Sequence, residues 1–152
     1  PVRPDAKDWK HALDWATPLM ALWLLGAGVF LVRRYSLYFE MRRELLADAR
    51  PVGEAGRVRL VETAATQGPV AFGVLDKVIA LPRGFMASHD RVARDLALAH
   101  ELAHHRGHDL LTNMLVQPLF ALHWFNPLAA LGWRALRRDQ EAACDARVMA
   151  HQ

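Results

Sequence analysis

Eighteen consecutive residues without a charge, Trp15 to Val32, constrain this chain more than any other feature. The run (WATPLMALWLLGAGVFLV) stops at Arg33-Arg34. Coiled as a helix at about 1.5 Å per residue, it is just long enough to cross a hydrocarbon core of about 30 Å. A core helix of a soluble domain keeps a polar face, and this run has none. A secretory signal carries its basic residues before the apolar run, whereas here they come after it.

The chain has 152 residues, enough for one domain with a real core and short for two. Its net charge of +3 does not point to nucleic acid. The arginines sit beside apolar runs, as in Arg33, Arg34, Arg42 and Arg43 and again in Arg134, Arg137 and Arg138. That placement suits membrane flanks better than a stripe tracking phosphates, and no direct nucleic-acid partner is expected. A single cysteine, Cys144, excludes an internal disulfide and fits a reducing compartment. Residues 1–14 carry Arg3, Lys7 and Lys10, against five arginines in residues 33–50. The positive-inside rule therefore places the chain from Arg33 onward in the cytoplasm.

The expected organisation is an extracytoplasmic flank (1–14), a transmembrane helix (15–32), a juxtamembrane helix and linker (33–56) and a domain over 57–152. Pro51 ends the juxtamembrane helix. Two β-rich runs, 57–64 and 70–82, read as a hairpin or as neighbouring strands across Thr66-Gln67-Gly68-Pro69. A helix is expected from about His89 to Arg106, with Ser88 as its cap and Gly107 as its stop. A second apolar run, Leu110 to Trp133, is interrupted by Asn113, Gln117, Pro118, His123, Asn126 and Pro127. The last helix is expected from near Arg134. The chain opens at Pro1 and stops at Gln152 inside a helical pattern, and reads as a piece of a longer protein.

The chemistry is concentrated in His100-Glu101-Leu102-Ala103-His104. Histidines four apart lie one helical turn apart on the same face, so both imidazoles reach one tetrahedral zinc. The intervening Glu101 is placed to act as base on a water made acidic by the metal. Val92, Leu96, Ala99 and Ala103 share the face of His100 and His104, which predicts that the ligands point inward. A peptidase zinc needs a third protein ligand and one open position. In RRDQEAACDARV, Glu141 and Asp145 lie four apart on one face. Glu141 supplies the ligand, and Asp145 accepts the free N–H of a ligating histidine and fixes its tautomer.

These motifs together resemble the BlaR/MecR-type antirepressor metallopeptidases, integral-membrane gluzincins of bacteria. The matching residues are His-Glu-Leu-Ala-His-His-Arg-Gly-His-Asp (100–109), His-Trp-Phe-Asn-Pro-Leu (123–128) and Asp-Gln-Glu-Ala-Ala-Cys-Asp (139–145), with a looser match in VLDKVIALPRGF (74–85). Lys77 stands where the family usually has proline. The resemblance implies His100, His104 and Glu141 as zinc ligands, Glu101 as base and Asp145 behind a ligand. It implies residence in the bacterial inner membrane with the catalytic domain facing the cytoplasm. The implied partner is a protein substrate, a cytosolic transcriptional repressor or the protease's own chain, and self-association into a homo-oligomer is left open.

The zinc site also carries a topological demand. If Leu110–Trp133 crossed the bilayer, Glu141 would lie about 30 Å from His100, while a zinc bond is about 2 Å. The segment is therefore expected to fold back as a bent, half-immersed or protein-buried hairpin. His105 and His108 read as surface histidines, His123 as an interfacial residue, Cys144 as a small helix residue and Asp109 as a structural acceptor. No oxyanion stabiliser stands out. The expected fold is α+β, a membrane-anchored gluzincin-like domain with a small sheet or hairpin and a zinc-binding helix pair. Two rival readings are a CAAX-prenyl-type or housekeeping membrane endopeptidase, and a non-catalytic transducer using zinc structurally. His-Trp-Phe-Asn-Pro speaks against the first and an intact Glu101 against the second.

Overall fold

A computed structural model describes residues 8–88 and 90–150, with side chains from Trp15 onward except that of Ser88. Its longest element, α1, runs unbroken from Asp8 to Ala47. The transmembrane and juxtamembrane segments read separately from the sequence are thus one rod, since Arg33-Arg34 changes polarity without breaking helical hydrogen bonding. Among the described residues α1 is the one helix long and apolar enough to cross a membrane by length and composition. Leu19, Leu22, Leu25, Val29 and Val32 all stand exposed along it. Of the expected flank, residues 1–7 lie outside the described residues, and Asp8 onward is already helix.

Four strands follow: β1 (Arg50–Ala55), β2 (Val58–Thr63), β3 (Val70–Phe72) and β4 (Val78–Pro82), in sheet order β1-β2-β4-β3. The stretch Pro51–Gly56, expected as a linker, mostly forms β1. Proline is tolerated there because β1 is an edge strand, and the pairing shifts between Pro51 and Gly53 to absorb it. The two β-rich runs are neighbours, with β2 parallel to β4. The hairpin lies inside 70–82, where β3 pairs antiparallel with β4. It turns at Gly73, whose φ of 85° places a Cβ into the Asp76 carbonyl for any other residue.

Strand β4 is paired on both sides and buried on both faces, which explains its continuous apolar run. Alternate residues serve two cores. Val78 and Ala80 join Val61, Phe72 and Leu45 from the C-terminal end of α1, while Ile79 and Leu81 join Val58, Leu60 and Phe85 under the next long helix. That helix is α3 (Arg91–Arg106), preceded by a short α2 (Phe85–Ser88). Asp90, not Ser88, stands at the N-cap of α3, without a side-chain capping bond. His89 and the side chain of Ser88 lie outside the described residues.

Beyond Gly107 come α4 (Asp109–Leu115), α5 (Gln117–Leu122) and α6 (Pro127–Met149). The last helix begins well before Arg134. Asn126 caps it, accepting from the Leu128 amide, and Pro127 takes the first helical position. The Asn-Pro pair that reads as an interruption is therefore a helix start. Helices α4 and α5 lie against α1. Tyr35 Oη donates to Met114 O (3.1 Å), Arg34 Nε to Gln117 Oε1 (3.1 Å) and Trp23 Nε1 to Leu122 O (2.8 Å). The chain thus descends beside the apolar half of α1 and turns back into α6, which returns to pack on α3.

Candidate metal centre

Helix α3 contributes His100, Glu101 and His104, and α6 contributes Glu141, Cys144 and Asp145. The two imidazoles stand edge to face with centroids 5.0 Å apart. Each has its Nδ1 turned to a carboxylate. His100 Nδ1 lies 3.1 Å from Asp145 Oδ1, and His104 Nδ1 lies 3.0 Å from Asp109 Oδ2. An acidic oxygen on Nδ1 favours the Nδ1–H tautomer and leaves the Nε2 lone pair free. Both Nε2 atoms then face one oxygen, Glu141 Oε2, at 3.5 and 3.6 Å. Two imidazole nitrogens and a carboxylate oxygen converging in this way could hold a metal ion, and they match in type the three protein donors of a hydrolytic zinc site.

Cys144 is a fourth candidate. The atoms offered by His100, His104 and Cys144 all lie within 4.8 Å of one another. Its thiol, however, already donates to the His100 carbonyl at 3.1 Å. Burial, assisted by nearby Asp109, pushes that thiol up to about 11 in the metal-free protein, so ligation through sulfur would have to release a proton and give up that hydrogen bond. Glu141 Oε2 faces both imidazole Nε2 atoms and is the candidate third donor that this geometry favours.

The meeting point of these side chains is braced from several directions. His108 is the only non-glycine residue with positive φ (58°) among the described residues, and it turns the chain so that Asp109 reaches back under His104. Arg147 Nη1 donates to Ala103 O (3.2 Å) and approaches Asp109 Oδ2 (3.5 Å), tying α6 to the end of α3. Arg137 Nη2 holds the other oxygen of Glu141 at 3.3 Å. The sequence identifies Asp109 only as a structural acceptor. Its place five residues after His104, beyond a Gly-His turn, sets it against His104 Nδ1 as Asp145 is set against His100 Nδ1.

Glu101 lies between the sheet and the converging atoms, within electrostatic reach of His104, His100 and Glu141. Its Oε2 accepts from the amide of Ala71 at 2.8 Å. Burial raises its carboxyl above the ordinary range, and the Ala71 amide opposes that rise. Strand β3 is one of the two edges of the sheet, and the Ala71 amide on its outer side is taken by Glu101.

Two sequence expectations about α3 are corrected. Val92 and Leu96 are exposed, while Ala103 and His104, farther along the same face, are buried at the end of α3 that packs with α6. The side that packs on the sheet carries Ala97, Leu98 and Leu102. His105, read as a surface histidine, lies on that side, buried with only 4% exposed, with its Nε2 3.2 Å from Val78 O. Burial lowers its pKa, so it sits neutral with Nε2–H donating to the carbonyl. His108 is exposed, as expected.

A His-Glu-x-x-His helix facing an acidic helix, beside a small mixed sheet and an apolar anchor-length helix, defines the peptidase class of this fold. Residues 4–152 match the model of the BlaR1 peptidase M56 family, and the chain belongs to that family. The regulatory protein BlaR1 of Bacillus licheniformis is 29% identical over 145 residues, 85% of this chain and 24% of that protein. The methicillin resistance mecR1 proteins of Staphylococcus aureus and Staphylococcus epidermidis are each 30% identical over 81 residues, 53% of this chain and 14% of theirs. The chain therefore spans a quarter or less of the length of these relatives.

Proposed function

We propose that this chain is the zinc endopeptidase segment of a bacterial membrane signal transducer, with His100, His104 and Glu141 as ligands and Glu101 as base. The observation that carries the reading is the convergence of His100 Nε2 and His104 Nε2 on Glu141 Oε2 at 3.5 and 3.6 Å. Bound there, zinc supplies Lewis acidity that polarises water and the scissile carbonyl at neutral pH. Asp145 and Asp109 hold the two imidazoles in the ligating tautomer. Glu101 takes a proton as water adds to the carbonyl carbon, then delivers it to the amine as the C–N bond breaks.

An extended substrate pairs along the outer edge of β3, where the Ala71 amide now donates to Glu101. A hollow of about 370 Å³ opens beside that edge, walled by Tyr35, Tyr38 and Met41 of α1 and by Phe72, Leu110 and Trp133. It suits a bulky apolar side chain. The substrate in this reading is a cytosolic repressor or the protease's own chain, met on the cytoplasmic side of the inner membrane. The test is Glu101→Gln in the whole membrane-embedded protein. Cleavage is expected to fall at least about 10²-fold with zinc content unchanged. Undiminished cleavage would remove Glu101 from the role of base.

A further inference from the structure

The flank of α3 opposite the paired histidines holds a second hollow, of about 500 Å³, between the β1–β2 turn, the start of β4 and the last turn of α3. Its charged lining has one sign. Arg57, Lys77 and Arg106 border it together with His105, and no carboxylate does. Among the described residues none of these three cations has an ion-pair partner. Close by, Arg42 and Arg59 share Asp76 at 2.8 and 2.7 Å, so the acidic residue next to Lys77 is already engaged. The floor is apolar, formed by Val58 and Leu102. Cations gathered around an apolar floor without a counter-charge are complementary to an acidic ligand.

The position of the hollow narrows the class of ligand. Lys77 adjoins Asp76, which grips Arg42, and Arg42 lies about 15 Å of helix beyond Val32, where the apolar run ends. Past a headgroup layer of roughly 5–8 Å, that leaves about one physiological Debye length of about 8 Å, so anionic headgroups at the membrane surface act on it with reduced strength. A floor of Val58 and Leu102 adds contact for a peptide and none for a free phosphate.

We propose that this hollow docks an acidic segment of a partner protein, its carboxylates held by Arg57, Lys77 and Arg106 over Val58 and Leu102. The inference stands apart from the metal reading, since it invokes the other side of α3 and no catalysis.

The test is binding of a fluorescein-labelled oligo-aspartate peptide to the whole protein in nanodiscs of neutral lipid, at low salt. The variant Arg57→Glu/Arg106→Glu is expected to weaken binding about tenfold or more, because two favourable charges become unfavourable. Arg91→Glu/Arg134→Glu changes the net charge equally at exposed positions outside the hollow and is expected to change binding less than about twofold. Equal losses in the two variants, or none in either, would overturn the proposal. Inorganic phosphate and vesicles rich in phosphatidylglycerol form two further arms. If either distinguishes the two variants while the peptide does not, the hollow serves a small anion or a membrane, and the proposal fails.

Discussion

Glu101 is held between an apolar environment that favours its neutral form and the Ala71 amide that favours its charged form. Burial is the larger influence, so the folded, metal-free protein binds a proton at Glu101 more readily than the unfolded chain does. A raised carboxyl pKa costs stability as pH rises through the window between its ordinary and its raised value. Glu101→Gln removes the buried charge and keeps an oxygen to accept from Ala71. The metal-free variant is therefore expected to melt above the wild type near neutral pH, with the difference closing as pH falls below the ordinary carboxyl range. A variant less stable than wild type at neutral pH would show that Glu101 contributes to the fold as an anion. The main site residues are legible in the sequence because helical spacing alone sets His100 beside His104 and Glu141 beside Asp145. The Ala71 amide is not, since a backbone donor leaves no trace in residue identity.

At the level of elements, the apolar run and the helices carrying His100 and Glu141 are legible from periodicity, but their starts are not: Asp90 stands where Ser88 is expected, and Asn126 caps a helix expected only from near Arg134. Strand β1 is hidden by Pro51, Gly53 and Gly56, a composition that fits a linker until β2 supplies the hydrogen-bonding partner. The burial of His105 is hidden too, because the stripe of Val92 and Leu96 is exposed and the sheet takes the neighbouring stripe of Ala97, Leu98 and Leu102. The contact between α1 and the end of α5 offers a sharper test. Trp23 Nε1 donates to Leu122 O, Trp124 Nε1 to Trp23 O at 3.3 Å, and a Cβ added at Gly26 would strike the Trp124 indole. Gly26→Val is expected to destabilise the packed hairpin by about 1–3 kcal/mol, as overpacking does. Gly28→Val serves as control, since nothing lies within 4 Å of its added Cβ. Thermal unfolding in detergent reads the difference, and equal melting of the two variants would mean that α5 does not seat on α1.

For the whole molecule, the return of the chain from α5 into α6 has a topological consequence. Between Arg34 and Trp23 the descending segment runs beside α1 for about 16 Å, roughly half of a hydrocarbon core. Asp109 and Arg134 are then expected to emerge on one membrane face, as the sequence requires if Glu141 is to meet His100. In a Cys144→Ala background, Glu54→Cys, His108→Cys and Arg138→Cys are expected to react with a thiol reagent only once the inner face is exposed. Asp5→Cys is expected to react from outside in intact cells. Labelling of Arg138→Cys and His108→Cys from opposite sides would make Leu110–Trp133 a true span and separate the two halves of the site.

The most direct measurement is the zinc content of the purified whole protein and of three variants, because it decides between Glu141 and Cys144 as the third donor. Wild type and Cys144→Ala are expected to retain about one zinc per chain, while His104→Ala and Glu141→Ala lose most of it. Stoichiometric zinc in Glu141→Ala together with its loss from Cys144→Ala would contradict the assignment of the metal centre.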